Sequence, residues 1–190
     1  MTSSTHTTDL ANGVPASYSP LARRLHWATF VLVTLAYVSI NVRKLFERGT
    51  DERIFASESH FLIGMVVLML VVPRLVNRFS ERAPPIVPPQ PSWMGWLSSL
   101  THVLLYAFLV VQPLTGMVAR LAEGKGIGLP LTERVIPSFF GTDKALADLL
   151  ESTHVWIGEA FYWVIGLHIL AALFHLLVRK DNVMQRMWGK

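Results

Sequence analysis

The sequence reads as an all-α integral membrane protein, a four-helix bundle with both termini cytoplasmic. Two observations predict the bundle. Of the 190 residues, 52% are hydrophobic, and they gather into four runs, Leu21–Val42, His60–Val76, Trp93–Val118 and His154–Val178. Each run approaches the roughly 20 residues that cross a bilayer's hydrocarbon core. In lipid, the backbone must satisfy its own hydrogen bonds, which leaves the helix as the form of each run. A soluble bundle would confine its apolar residues to one stripe per helix, whereas these runs are apolar all round.

The expected helices cover about 20–42, 58–77, 93–119 and 153–179 of one domain spanning 18–190. Ser19-Pro20 opens the first, serine as cap and proline in the first turn. The charged segment RKLFERGTDER leads to the second, expected to end near Pro73. APPIVPPQP has too few N–H groups for a helix and reads as a stiff, extended connector. Gln112-Pro113 predicts a kink in the third helix. The segment from Arg120 to Ser152 is the longest loop, and loops of this length usually cover something. It begins with the glycine-punctuated EGKGIGLP, and TDKALADLLES reads as a short amphipathic helix entering the fourth span. Residues 1–17 lack the basic start and apolar centre of a signal peptide and read as a disordered tail.

Charge sets the orientation. The N-terminus, the proline-rich connector and the C-terminus share one side, which carries Arg23, Arg24, Arg74, Arg78, Arg82, Arg179, Lys180, Arg186 and Lys190 against Asp9, Glu81 and Asp181. The remaining basic residues are matched by at least as many acids. The positive side is expected to be cytoplasmic. Cations at this depth meet anionic headgroups, so the basic balance calls for membrane lipid and no nucleic acid.

The segment HVWIGEAFYWVIGLHILAALFH carries the chemistry. Six of the seven histidines lie in or at the ends of apolar runs: His26, His60, His102, His154, His168 and His175. Ionisable groups in membrane helices are costly and mark function by default. His154 and His168 are fourteen residues apart, about 21 Å along a helix and nearly on one face. Phe161 is midway between them on that face. By depth, His60 is level with His154 on the extracytoplasmic side, and His26 with His168 on the cytoplasmic side. Paired imidazoles on facing helices, with no thiolate nearby, suit axial ligation of haem iron. His102 has the same depth as His26, and spacing leaves the partner of His168 open between them. His60 and His154 each have a glycine four residues on, Gly64 and Gly158, expected to let a flat macrocycle approach. Cysteine is absent, which excludes iron–sulfur clusters and covalently attached haem.

Along nearly the whole chain the motifs YSPLARRLHW, ESHFLIG, APPIVPPQP, LTHVLLYAFLVVQPLTGMV, STHVWIG, IGLHILAALFH and KDNVMQRM resemble the bacterial cytochrome b561 family. The resemblance implies two non-covalent, bis-histidine b haems in the bacterial inner membrane. It assigns His26 and His168 to an inner haem, and His60 and His154 to an outer one. It also implies that superoxide is oxidised at the outer face and ubiquinone reduced. The alternative is an electron-carrier subunit linking a periplasmic redox protein of hydrogenase or formate dehydrogenase type to the quinone pool. His102 and His175 are the quinone-site candidates. Arg43, Lys44, Arg53 and Lys125 are the outer cations available to steer an anion or bind haem propionates, as Arg23, Arg24, Arg74 and Arg179 are inside. Ser57, Ser59, Ser152 and Thr153 are candidate hydrogen-bond partners for the ligands. Glu159 is an acid that the resemblance does not account for.

Overall fold

The computed structural model describes residues 17–139 and 141–189; residues 1–16 of the expected tail, His6 among them, lie outside these. Four long helices, α1 (Pro20–Val42), α2 (Asp51–Ser80), α3 (Ser92–Ala122) and α4 (Lys144–Phe174), dominate the chain. All four are long and apolar enough to cross a membrane. A short helix, α5 (Val183–Trp188), follows.

The helix starts follow local chemistry. Ser19 Oγ accepts from the Ala22 amide, with Pro20 in the first turn of α1. Thr50 caps α2, whose first turn holds Asp51 and Glu52 where carboxylates oppose the helix dipole. Asp143 caps α4 through the Leu146 amide. Two helices are therefore longer than expected. α2 begins at Asp51 and continues past Pro73 to Ser80, and TDKALADLLES forms the first turns of α4 rather than a separate helix. Polar turns prolong a membrane helix into water, where hydropathy no longer marks them. Pro113 likewise lies inside a continuous α3.

α1 packs on α2 and α3 on α4, with a lighter seam between α2 and α3. α1 and α4 face each other across a gap bridged by side chains. Tyr37 Oη donates to the Gly158 carbonyl at 2.7 Å, and Asn41 Nδ2 donates to Tyr162 Oη at 2.8 Å. Val67, Val71, Phe108 and Leu109 form the buried centre. Outward side chains such as Met69, Phe79 and Trp163 are exposed, as suits helices that face lipid.

One end of the bundle, here the loop end, bears a tight turn after α1 and the long segment between α3 and α4. That segment holds a small hairpin, β1 (Ile127–Gly128) against β2 (Val135–Ile136), which nothing in the sequence foretold. The other, the termini end, is tied together by hydrogen bonds. Tyr18 N donates to the Arg186 carbonyl, and Arg23 Nη1 to that of Trp188. Asn182 exchanges hydrogen bonds with Val87 and reaches the Pro85 carbonyl, while Arg186 Nη1 donates to the Pro84 carbonyl. The proline-rich connector is thus extended, as expected, and its carbonyls are taken by the C-terminal segment.

Candidate functional site

α4 carries His154 and His168 on one side, and each meets a histidine of a facing helix. At the loop end the ring centres of His60 and His154 are 6.1 Å apart with planes at 89°. At the termini end those of His26 and His168 are 6.4 Å apart at 59°. Two imidazoles on opposite sides of one metal, with bonds of about 2 Å, would place their ring centres about 6 Å apart, a spacing that both pairs match. His102 is also near His168, at 5.7 Å; the structure brings both His26 and His102 to this ring. His102 differs in being exposed and in turning Nδ1 to the Ser98 carbonyl of its own helix, 2.7 Å away. Phe161, between the pairs, stacks on Phe108 at 4.2 Å and 15°. Among the described residues no group of three or more His, Asp or Glu side chains is placed to hold a metal ion.

Both loop-end rings are fixed from behind. His60 Nδ1 lies 3.0 Å from the Ala36 carbonyl and His154 Nδ1 2.8 Å from that of Gln112. A carbonyl only accepts, so each Nδ1 carries the proton and each Nε2 keeps its lone pair. The serine and threonine partners expected from sequence do not fill this role. Ser57 Oγ donates to the Arg53 carbonyl, and Ser152 and Thr153 both donate to that of Leu149. Such hydroxyls satisfy themselves within their own turn, leaving carbonyls of neighbouring helices to reach the imidazoles.

A cavity of about 850 Å³ opens beside His60 and His154, within the size range of cofactor sites. Its rim bears Arg43, Lys44, Arg48, Arg53, Arg120 and Lys125 against Glu58, Glu123, Glu151 and Glu159. All four outer cations singled out from sequence are therefore gathered here. Glu123 engages Arg120 at 3.7 Å and Lys125 at 3.3 Å. Arg53 Nη1 donates to the Arg43 and Phe46 carbonyls, holding the turn that carries the other cations.

The residues fit a haem on two further observations. Arg43 Nε is buried without a hydrogen-bond partner, as is Arg74 Nε at the other end; buried donors of this kind suit the carboxylates of a haem edge. Glycines thin the cavity wall. Gly64 is open, its nearest neighbour for an added Cβ being Pro113 at 3.8 Å. Gly158 differs from the sequence expectation: an added Cβ would meet Gln112 Nε2 at 2.9 Å, so its bareness accommodates an amide.

At the termini end a buried charge cluster lies behind α4. Asp181 is fully buried and accepts from His175 Nδ1 at 2.6 Å, Arg179 Nε at 2.9 Å and the Val183 amide at 3.2 Å. Burial alone would raise the Asp181 carboxyl, but these hydrogen bonds overcome it and hold the group below the usual carboxylate range. His175 is thus bound to an acid, and among the described residues no ring contact joins it to His102. From sequence alone, Asp181, Gln112, Arg120 and Gly116 had no part in the site; Gln112 was marked only by the kink expected at Gln112-Pro113.

A membrane four-helix bundle whose inward histidines meet in pairs, in a chain without cysteine, defines a b-type electron-transfer cytochrome. The family model for prokaryotic cytochrome b561 matches residues 17–190, and the chain belongs to that family. It is 33% identical to "Cytochrome b561 homolog 1" of Escherichia coli (strain K12) over 166 residues, 86% of this chain and 92% of the relative. It is also 33% identical to "Probable superoxide oxidase CybB" of Yersinia pestis over 175 residues, 91% and 96% of the two chains. "Cytochrome b561 homolog 2" of Escherichia coli is 25% identical over 178 residues, 93% of each. The protein is a haem-binding bacterial membrane electron carrier of this family.

Proposed function

We propose that the protein is a di-haem cytochrome of the bacterial inner membrane that oxidises superoxide at the loop end and reduces ubiquinone. The observation that carries this reading is the loop-end cavity, with a histidine pair in its wall and more cations than acids at its rim. The similarity to a probable superoxide oxidase supports it.

Haem, when bound, supplies a one-electron couple at each pair. His60 and His154 would hold a loop-end haem through Nε2, made more basic by the carbonyls on Nδ1; His26 and His168 would hold the other. Arg43 and Arg74 offer orphaned guanidinium donors to the propionates. Lys44, Arg48, Arg53 and Lys125 draw a small anion to the mouth of the cavity. Phe108 and Phe161 fill the space between the two sites and exclude water. The balance is two superoxide anions giving two oxygen molecules and two electrons, which convert one ubiquinone and two protons to ubiquinol. His102 and His175 serve the quinone, with His175 oriented by Asp181 to pass a proton. The basic termini end faces the cytoplasm.

Stopped-flow mixing of purified protein with superoxide and ubiquinone tests this. The expected result is two haems per chain, fast reduction that slows as salt rises, and reoxidation by ubiquinone. If superoxide leaves the haems oxidised while a periplasmic hydrogenase or formate dehydrogenase partner reduces them, the electron-carrier reading replaces this one.

A further inference from the structure

Gln112 grips His154 at two points. Its side-chain Nε2 donates to the His154 backbone carbonyl at 2.8 Å, and its own backbone carbonyl lies 2.8 Å from His154 Nδ1. The amide orientation follows from chemistry: reversed, Oε1 would face a carbonyl oxygen and nothing would be donated. Oε1 is left buried without a partner, so the amide is held by this one bond in a place where it gains nothing else.

Two glycines make the grip possible. A Cβ at Gly158, one turn below His154, would meet Gln112 Nε2 at 2.9 Å. A Cβ at Gly116, one turn beyond Gln112 on α3, would meet the His154 ring at 2.8 Å. Thr115 Oγ1 lies 3.4 Å from His154 Nδ1 and donates to the Gln112 carbonyl at 3.0 Å, closing the third side. Among the described residues nothing equivalent surrounds His60, whose ring has the Ala36 carbonyl behind it and whose glycine, Gly64, is open.

We infer that Gln112 is the positioning residue of the loop-end haem, fixing the orientation of His154 and the direction of its lone pair. This rests on the assignment of His60 and His154 to that haem. A ring free to rotate about its metal bond presents a range of orientations to the iron, and a ring held on both sides presents one; orientation and ligand basicity set the electronic state of the metal. Gln112 acts through His154 and touches no substrate.

The test is redox titration and low-temperature electron paramagnetic resonance of purified Gln112→Leu and Gly158→Ala, compared with the unsubstituted protein. Leucine keeps the bulk of glutamine and removes the donor; alanine at 158 displaces the amide while leaving every ligand in place. Both variants are expected to retain two haems. In both, the loop-end haem alone should show a shifted midpoint and a broadened low-spin signal. Gln112→Asn, too short to reach, should behave like leucine. If Gly158→Ala and Gln112→Leu each leave both midpoints and signals unchanged, Gln112 does not position His154. An unsubstituted protein carrying a single haem would overturn the two-haem reading itself.

Discussion

The two ends of the bundle solve one problem with opposite means. At the loop end the helices stand apart around a cavity, and each imidazole is tethered by a backbone carbonyl from another helix. At the termini end His26 and His168 have no hydrogen bond to either ring among the described residues. Instead, α5 and the proline-rich connector close the bundle behind them through Asp181, Asn182 and Arg186. The loop end is organised around a cavity, with a mouth; the termini end is organised around the chain, with a seal. Carbonyl acceptors raise the basicity of an imidazole and favour the oxidised metal, so, with a haem at each pair as proposed, the one at the loop end is expected to have the lower midpoint. Electrons arriving there would then run downhill toward the termini end.

The comparison breaks most visibly at the ligands. Replacing His60 or His154 by alanine should remove the loop-end haem and halve the haem content, while His26→Ala or His168→Ala should remove the other, as read by haem quantitation and redox titration. If His102→Ala abolishes the termini-end haem and His26→Ala spares it, the second pair is His102 with His168. The seal comes next. Asp181→Asn leaves Arg179 and His175 without their shared buried acid and should cost about 3 kcal/mol of stability, the scale for breaking a buried pair, read as a fall in Tm with the loop-end spectrum intact. The same carboxyl sets a pH dependence. Its folded pKa is depressed, so its contribution is full above the unfolded value of about 4 and is lost as pH falls through the folded value. Thermal melts should therefore show the native protein losing stability below about pH 4 more steeply than Asp181→Asn.

At the mouth the effect is smaller. Arg48→Gln with Lys44→Gln should slow reduction by superoxide several-fold at low salt, and the difference should vanish near 1 M salt, where the screening length is about 3 Å. Smallest is Gly128→Ala. A Cβ at this hairpin position would overlap the Glu58 carboxylate, and its displacement should cost about 1 kcal/mol, on the low side for overpacking. Calorimetry would register it, with the termini-end haem unchanged.

The membrane core of this fold was legible because lipid imposes a simple rule on sequence. The histidine pairs were legible because fourteen residues return a helix to one face, so that His154 and His168 had to look into the same bundle. Where α2 and α4 leave the hydrocarbon the rule ends: Asp51–Ser57 and Lys144–Ser152 are helical for reasons of capping and packing that apolar content does not report. Gln112 was hidden for another reason. Its two partners belong to His154, forty-two positions away, and an amide in an apolar helix looks the same whether it is gripping a neighbour or idle. The glycine after each loop-end histidine suggested a symmetry that packing does not keep: Gly64 opens the wall, while Gly158 makes room for that amide. The partner of His168 stayed open for lack of a distinguishing neighbour, since His26 and His102 both reach it.

The bond from Arg186 to the Pro84 carbonyl joins residues 102 positions apart, and Asn182 reaches the same connector. During synthesis, α1, α2 and α3 enter the membrane well before those partners are made. The connector between α2 and α3 therefore waits, with its carbonyls facing water, until the ribosome has delivered α4 and the segment behind it. The two early helix pairs can lodge in the bilayer as separate hairpins, and the final few residues fasten them together. A chain stopped at Lys180 would hold all six membrane histidines and still lack the fastening. Its failure would show as slow or incomplete haem loading, and supplying the missing tail as a separate peptide would be the direct way to see assembly finish.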